Sequence, residues 1–297
     1  MLRKFLKRIS GGGRSPVKAG IRSSYPNGHF HSPVTDPVEL IDRQGEIWPL
    51  SPRPCLDIDF NDDSHREILA EWFPRNFPDY DYPEHESASG EFYTQNNRFS
   101  WLDSRSLFVM LKELKPRRMI EIGSGFSSLL TADVNHRFLG GQIDFTCIEP
   151  DPGEFLKKKI PGLNKLLVKK VESIELGFFE SLDSGDILFV NSSHVSKTGS
   201  DVNHIIFEIL PRLSSGVLIH FHGIFLPFEY PKDWVITENR SWNEQYLLRA
   251  LLMNSEAFKV LFGCNYAYFQ FQELLVKGLN LPGGRAFGGG SFWLEKR

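Results

Sequence analysis

Short apolar runs alternate with helix-like segments through the later part of the chain. Segments such as SSLLTADVNHRFL and SDVNHIIFEILPRL have the pattern of helices and lie between the runs. Five of the runs are predicted strands, at residues 119–123, 143–149, 165–171, 186–191 and 216–222. This alternation predicts βαβ units, and hence a parallel sheet covered by helices on both faces. The tail adds a predicted helix, WNEQYLLRALLMN, and two further strands, FKVLFGCN and SFWLEK.

The first third of the chain has a different texture. Residues 1–20 form a basic leader, which we interpret as flexible. Residues 21–102 are rich in Pro, Asp and aromatic side chains and are predicted to be an irregular extension with short helices, one of them over HREILAEW. Asp103 is predicted to cap the helix DSRSLFVMLKEL, which opens a single domain over residues 103–297.

Composition is typical of a globular protein and argues against some functions. Of the 297 residues, 41% are hydrophobic and 24% are charged, so global disorder is not expected. A net charge of -3 argues against a nucleic-acid binder. The three cysteines are odd in number and widely spaced, which indicates reduced thiols and a cytoplasmic location.

The leader is the segment with the most biased charge. It contains six Lys or Arg and no acid, and Leu2, Phe5, Leu6 and Ile9 fall on one helical face. We interpret it as solvated, and peripheral contact with an anionic membrane surface is the alternative. Its apolar run is too short for a secretory signal, and the sequence has no stretch of roughly 20 apolar residues that would predict a membrane span.

The first predicted strand ends in a glycine turn, EIGSGFSS, at residues 121–128. Gly123 and Gly125 let the backbone turn sharply and approach a ligand. Ser128 stands where a dinucleotide fingerprint has its third glycine. The next strand ends with Glu149, whose carboxylate can accept hydrogen bonds from both hydroxyls of an adenosyl ribose. A plain tight connection between strand and helix is the alternative interpretation.

These features resemble the class I S-adenosylmethionine-dependent methyltransferases. Glu121-x-Gly123-x-Gly125 is similar to their first motif, and Glu149 is similar to their ribose-binding acid. The resemblance covers about residues 103–297 and implies an α/β fold, a Rossmann-like doubly wound sheet of seven strands that is mostly parallel with an antiparallel last strand. It also implies S-adenosyl-L-methionine as the cofactor. The cofactor-binding residues that it implies are Glu121, Gly123, Ser124, Gly125, Glu149, Val171, Glu172 and Asn191.

A narrower resemblance is carried by SSHVSKTGSDVNHIIFEILPRL, HFHGIFLPFEYPKDW, RSWNEQYLLRALL and GGGSFWLEK. These stretches are similar to a bacterial branch of methyltransferases associated with polysaccharide and secondary-metabolite pathways. In related metal-assisted sugar O-methyltransferases, an Asp-x-x-His element supplies a metal ligand and a general base. Asn191 stands where the branch has Asp, and Gly223 stands where it has a second Asp. Because hard cations favour carboxylates, these departures predict that a Mg²⁺ site is lost or much weakened.

Histidines follow or lie within the fourth and fifth strands. The resemblance implies that His194 is a general base that takes a proton from an acceptor hydroxyl, a task suited to imidazole. An ordinary surface or capping histidine is the alternative. His220 and His222 share one strand face, and we interpret them as hydrogen-bonded pocket residues. A Zn²⁺ site built from His194, His220 and His222 is the alternative for all three.

The sequence therefore predicts a methyltransferase that uses S-adenosylmethionine to O-methylate a sugar, a glycan precursor or a related small molecule, without a nucleic-acid partner. The aromatic loop FLPFEYPKDW is predicted to form either a wall of the acceptor site or a small satellite core. Two other functions stay open. One is a catalytically silent methyltransferase-like binding or partner protein. The other is an NAD-dependent oxidoreductase, against which the missing third glycine counts.

Overall fold

The described part of the chain forms one sheet of seven strands. A computed structural model describes residues 23–51, 54–87, 90–279 and 288–297, and the predicted leader lies outside them. The strands are β1 (Arg118–Ile122), β2 (Asp144–Ile148), β3 (Lys165–Leu167), β4 (Ile187–Val190), β5 (Leu218–Phe221), β6 (Phe258–Gly263) and β7 (Phe292–Lys296). Their order is β3-β2-β1-β4-β5-β7-β6, and β7 is antiparallel to both of its neighbours. The predicted α/β fold class is confirmed.

Helices precede the sheet and connect its strands. Those of the extension are α1 (Pro37–Asp42), α2 (Gln44–Ile47), α3 (Asp62–Glu67) and α4 (Phe73–Asn76), with a π turn at Ile68–Trp72 and a 3₁₀ turn at Phe77–Asp79. The others are α5 (Trp101–Leu114), α6 (Phe126–Arg137), α7 (Leu176–Glu180), α8 (Asp201–His204), α9 (Lys232–Ile236), α10 (Glu244–Leu252), α11 (Cys264–Gln270) and α12 (Gln272–Leu279). After α8 the chain continues through a π turn, Ile205–Ile209, and a 3₁₀ turn, Leu210–Arg212. None of the helices described is long and apolar enough to cross a bilayer.

The sheet separates two apolar layers, because successive side chains of a strand point to opposite faces. In β4, Phe189 belongs to one layer, whereas Leu188 and Val190 belong to the other. The extension contributes Phe73 and Phe99 to the first layer, and both are almost completely buried. The extension therefore packs against the sheet and shares its core.

The third strand is shorter than predicted. The predicted strand at residues 165–171 ends at Leu167, because it lies at the edge of the sheet and its one neighbour, β2, ends at Ile148. The N–H of Glu149 still donates to the Leu167 carbonyl, and the chain then turns away. The next residues of interest, at 171–173, lie in a 3₁₀ turn beyond the strand.

The predicted capping role of Asp103 is wrong. Helix α5 begins at Trp101 after Ser100, so Asp103 lies inside the first turn of the helix. Its carboxylate accepts hydrogen bonds from the N–H groups of Gly290 (3.1 Å) and Ser291 (2.7 Å), just before β7. This acid therefore joins the start of α5 to the last strand, a contact between residues that lie far apart along the chain.

His65 joins the extension to the opposite edge of the sheet. Its ring is buried, Nε2 accepts the N–H of Gly263 at the end of β6 (2.9 Å), and Nδ1 lies 3.1 Å from the Asn61 carbonyl. These contacts require the neutral ring with the proton on Nδ1. Burial lowers the pKa of His65 to about 4. Because this pKa lies below the ordinary value of 6.5, the contact contributes stability above pH 6.5 and loses it as the pH falls towards 4.

We expect the free energy of unfolding to fall by about 3 kcal/mol between pH 6.5 and 4 on account of His65 alone. Urea denaturation of the wild type and of His65→Gln at several pH values measures this contribution as the difference between the two pH profiles. The variant should be less stable at pH 7 and should lose less stability on acidification. Parallel profiles for the two proteins would contradict the assignment.

Candidate functional site

The segments that follow β1, β2, β4 and β5 meet beyond the C-terminal ends of these strands, where open α/β sheets bind ligands. This side of the sheet is called the C-terminal edge. They are the glycine turn at 123–125, Glu149, the loop at 191–200 and the residues from 222 onwards. Most of the predicted site residues lie in these four segments. The fold therefore brings them to the same edge of the sheet.

The glycine turn passes directly against the loop after β4. Gly123 has a φ of +79°, and a Cβ at this position would lie 1.9 Å from the carbonyl oxygen of Asn191. Asn191 is itself held in place, since its N–H donates to the Ile122 carbonyl (2.8 Å). A Cβ on Gly125, in contrast, would meet no atom within 4 Å. Gly123 is therefore required by the fold, whereas Gly125 borders open space.

Two serines of the turn differ in their hydrogen bonding. The Ser124 hydroxyl oxygen is buried and has no partner among the described residues. The Ser128 hydroxyl accepts the N–H of Gly125 (3.0 Å) at the start of α6. Ser128 thereby occupies one of the amide groups that a bound pyrophosphate would use. The unpartnered Ser124 hydroxyl and the open space beside Gly125 fit a nucleoside ligand of modest charge.

Glu149 bridges the loops after β1 and β2. One carboxylate oxygen accepts the Ser124 N–H (3.1 Å), and the other accepts the Asp151 N–H (2.8 Å). The residue is half-buried. Each oxygen keeps a second lone pair, so the carboxylate can still accept hydrogen bonds from two hydroxyl groups of a ribose.

Glu121 and Val171, two other predicted cofactor residues, are buried, and a third, Glu172, is exposed. Glu121 is fully buried under the turn, where it accepts hydrogen bonds from the hydroxyl of Ser127 and, at 3.4 Å, the thiol of Cys147. Burial raises the pKa of Glu121 to about 7. Glu121 therefore stabilises the glycine turn from within the protein, through its hydrogen bond with Ser127. Val171 is buried among core residues beyond the end of β3, and its neighbour Glu172 is exposed.

The ring of His194 is held by a buried carboxylate that sequence reasoning missed. Nδ1 of His194 lies 2.9 Å from an oxygen of Glu244, the first residue of α10, and the Glu244 side chain is fully buried. The other Glu244 oxygen accepts the hydroxyl of Ser192 (2.7 Å). Nε2 of His194 makes no hydrogen bond to the residues described. Such a ring has one nitrogen fixed and the other free to take a proton.

The stretch Trp242-Asn243-Glu244 contacts the His194 loop at several points. The Trp242 ring lies against the imidazole, with centroids 4.0 Å apart. The N–H groups of Asn243 (3.0 Å) and Glu244 (3.3 Å) both donate to the His194 carbonyl. The Asn243 side chain accepts the N–H of Ser196 (2.6 Å). These contacts hold His194 at a φ of 61°, a left-handed conformation that is uncommon for a residue with a side chain.

Gly223 leaves room for the His194 ring. It has a φ of +82°, and a Cβ there would lie 3.1 Å from both Nδ1 and Cε1 of His194. An aspartate at this position would adopt a strained left-handed conformation and would require the His194 ring to move by a few tenths of an ångström. Gly223 stands where the sequence resemblance has a metal-binding Asp. In this structure, its lack of a side chain makes room for the His194 ring.

The remaining histidines do not join His194 in a metal site. His222 Nδ1 lies 3.3 Å from the Asn191 side-chain oxygen, and its Nε2 lies 3.7 Å from Asp103. His220 is fully buried and stacks on Phe189 with centroids 3.7 Å apart. Burial, together with His222, holds the pKa of His220 well below its ordinary value. Within the described ranges, no group of three His, Cys, Asp or Glu side chains is placed to hold a metal ion.

His222 is thus a hydrogen-bonded residue of the site, as predicted for both histidines. The same prediction is wrong for His220, because neither of its ring nitrogens has a partner among the described residues. The aromatic environment of a fully buried strand accounts for its neutral state.

A cavity of about 1000 Å³ lies between the aromatic loop after β5 and the extension. Trp48 and Leu50 line it from the extension, and Phe228 and Trp234 line it from the loop. Trp234 contacts Trp242 (5.3 Å between centroids), which in turn lies against His194. The loop therefore forms a wall that extends from the cavity to the side chain covering His194, while Phe225 and Tyr230 of the same loop are buried.

Comparisons with known proteins identify the family of this chain. A family model described as "Methyltransferase domain" matches residues 120–224. An uncharacterized protein of Archaeoglobus fulgidus is 32% identical over 206 residues, which are 67% of this chain and 91% of that protein. With the strand order of the sheet, these matches identify the chain as a member of the class I S-adenosylmethionine-dependent methyltransferases. The bacterial branch predicted from the sequence is not confirmed, since this relative is archaeal.

Similar solved structures were also found. A putative O-methyltransferase from Klebsiella pneumoniae has a TM-score of 0.36 and 15% identity, over 87% of this chain and 96% of that one. An O-methyltransferase from Bacillus cereus in complex with SAH has a TM-score of 0.36 and 13% identity, over 86% of this chain and 97% of that one. The family assignment does not depend on these two structures.

Proposed function

We propose that this methyltransferase transfers a methyl group from S-adenosylmethionine to a hydroxyl oxygen, with His194 as the general base and without a divalent metal. The observation that carries the proposal is the His194 ring, which has Nδ1 on a buried carboxylate and Nε2 unbonded at the same sheet edge as the glycine turn. A base of this kind contributes about 10²–10⁴-fold to a reaction that removes a hydroxyl proton.

The residues of the turn would hold the nucleoside. Glu149 would accept hydrogen bonds from the ribose hydroxyls, Gly125 would allow close approach, and Ser124 would gain a partner for its hydroxyl. When bound, the cofactor would supply an electrophilic methyl group on a sulfonium sulfur. His194 would take the acceptor's proton on Nε2 as the oxygen–methyl bond forms and the methyl–sulfur bond breaks, so that the pair of electrons stays on sulfur.

A sugar or glycan precursor is our proposed acceptor. The cavity beside the site presents the aromatic faces of Trp48, Phe228 and Trp234, on which the apolar faces of sugar rings can pack. Charged side chains of Arg43 and Glu229 at the same cavity could hydrogen-bond sugar hydroxyls. A cytoplasmic location stays a prediction, as does membrane contact through the leader.

Calorimetric titration with S-adenosylmethionine, once with excess Mg²⁺ and once with EDTA, tests the first part of the proposal. We expect saturable binding of equal affinity under both conditions. Binding that requires Mg²⁺ would contradict the metal-independent mechanism. Absence of binding under both conditions would overturn the proposed activity.

Transfer of a labelled methyl group to a panel of mono- and oligosaccharides tests the second part. Transfer to a hydroxyl that depends on His194 is the expected result. Cofactor binding without transfer to any hydroxyl compound would favour the alternative of a catalytically silent methyltransferase-like protein.

Glu149→Ala is expected to weaken cofactor binding by about 1.5–3 kcal/mol, the cost of losing a hydrogen bond to a charged group. Glu154→Ala is the matched control, because this exposed acid lies in the same loop and pairs with Lys157. Calorimetry measures the affinities, and melting temperatures separate binding from damage to the loops that Glu149 joins. Unchanged affinity in Glu149→Ala would contradict its placement at the ribose.

A further inference from the structure

We propose that Glu244 is the positioning residue that makes His194 a base, by keeping the proton of the neutral ring on Nδ1 and leaving Nε2 unprotonated. The inference rests on the proposed function, because it assigns the orientation of the base in that reaction. It gives a role to a residue about fifty positions away from His194 along the chain, at the start of α10.

The contact between His194 and Glu244 determines which ring nitrogen carries the proton. An ionised carboxylate only accepts hydrogen bonds, so Nδ1 at 2.9 Å from Glu244 must carry the proton. A neutral imidazole has a single N–H, and Nε2 is then the acceptor nitrogen. The carboxylate thereby selects the tautomer that can remove a proton from a substrate.

Burial of Glu244 requires hydrogen-bond partners for its carboxylate. The Glu244 side chain is fully buried, and an isolated buried carboxylate is costly unless it is paired and hydrogen-bonded. Its partners are His194 on one oxygen and the Ser192 hydroxyl on the other. Ser192 also accepts the N–H of His194 through the same hydroxyl (3.0 Å). Ser192, His194 and Glu244 therefore form a closed set of hydrogen bonds.

The stretch Trp242-Asn243-Glu244 also fixes the backbone of His194. The amides of Asn243 and Glu244 donate to its carbonyl, and Trp242 covers one side of its ring. Because the loop and the start of α10 are joined at several points, the ring has little freedom to rotate. Glu244 contacts His194 and no reacting atom, so its contribution acts through the histidine.

In the reaction, the acceptor proton would move to Nε2 and produce an imidazolium ring beside the Glu244 carboxylate. This ion pair would stabilise the charge that develops on the base as the methyl group is transferred. The imidazolium would afterwards release its proton to solvent, which restores the starting state of His194 and Glu244.

Nitrogen-15 NMR of the full chain, labelled at histidine, tests the inference without an acceptor. At pH 8 the wild-type His194 is expected to give the pattern of a ring protonated on Nδ1, with the shift of a bare acceptor nitrogen at Nε2. In Glu244→Gln the side-chain amide can donate as well as accept, so a mixture of tautomers or the Nε2-protonated form is expected. A wild-type ring protonated on Nε2, or an unchanged ring in Glu244→Gln, would overturn the inference.

Adjacent serines supply a matched pair of variants that leave Glu244 in place. Ser192→Ala removes a hydrogen bond of Glu244, whereas the Ser193 hydroxyl binds Asp201 instead (2.6 Å). Methyl transfer should fall by about 10-fold or more in Glu244→Gln, less in Ser192→Ala and least in Ser193→Ala. Equal losses in the two serine variants would contradict a role for the Glu244 contact.

The affinity for S-adenosylmethionine distinguishes failure of the proposed methyltransferase function from failure of the role assigned to Glu244. It should be unchanged in Glu244→Gln, because this residue does not line the glycine turn. If the wild type binds no S-adenosylmethionine, the proposed function fails whatever the tautomer of His194. If the cofactor binds but the tautomer does not depend on Glu244, the assignment of Glu244 alone fails.

Discussion

Gly123→Ala is expected to destabilise the protein by about 2–5 kcal/mol and to abolish binding of S-adenosylmethionine. The new Cβ would lie 1.9 Å from the Asn191 carbonyl oxygen, which belongs to backbone that cannot shift without disturbing β4. The φ of +79° adds the cost of a left-handed conformation for a residue with a side chain. Chemical denaturation measures the stability, and calorimetry measures the binding.

Gly125→Ala is the matched variant in the same turn. A methyl group there meets no atom within 4 Å, so the melting temperature should stay close to that of the wild type. Its affinity for the cofactor should nevertheless fall about tenfold or more, because the methyl group would occupy space that the ligand needs for close approach. An unstable Gly125→Ala, or a stable Gly123→Ala, would contradict the steric account of this turn.

The parts of the fold that depend on local pattern could be predicted from the sequence. Each predicted strand exists. The strands β1, β2, β4 and β5 are buried members of the parallel part of the sheet, and such strands give apolar runs that can be recognised without knowledge of distant residues. The end of β3 could not be predicted in this way, since it depends on where its single neighbour stops. The glycine turn was recognisable because its spacing within one strand-turn-helix unit is itself local.

The contacts of the candidate site were harder to predict. His194 was assigned through the family resemblance of the turn that follows the fourth strand. Glu244 was not predicted, because its contact with His194 joins two segments that only the folding of the whole domain brings together. The available signal was the acid Glu244, which follows Trp242 and Asn243 and is the first residue of an amphipathic helix. That signal resembles an ordinary helix start, where acidic residues are common for electrostatic reasons.

Gly223 and Asn191, the two positions interpreted as missing metal carboxylates, each have a structural role in this protein. Gly223 makes room for the His194 ring, and Asn191 lies within hydrogen-bond reach of His222. Carboxylates do reach the site, but they come from helices, with Asp103 in α5 and Glu244 at the start of α10. Asp103 is engaged by backbone N–H groups and Glu244 by an imidazole, so both stabilise the arrangement of protein groups.

His194→Gln is expected to reduce methyl transfer by about 10²–10⁴-fold, the usual contribution of a general base, while the affinity for S-adenosylmethionine stays unchanged. Glutamine is polar and similar in length to histidine, but it cannot take up a proton at neutral pH. Transfer of a labelled methyl group to a sugar acceptor measures the rate, and calorimetry measures the affinity. A loss confined to the rate identifies a group that acts on the reaction rather than on cofactor binding.

His220→Phe provides the control for a histidine that lies close by but takes no part in the reaction. His220 stacks on Phe189 and contacts Trp293 in an edge-on arrangement. Phenylalanine can keep both ring contacts while removing two buried nitrogens without partners in the described structure. We therefore expect an unchanged rate and a melting temperature equal to or above that of the wild type. If both histidine variants lost activity equally, the effect would come from disruption of the sheet, and His194 would have no separate role as the base.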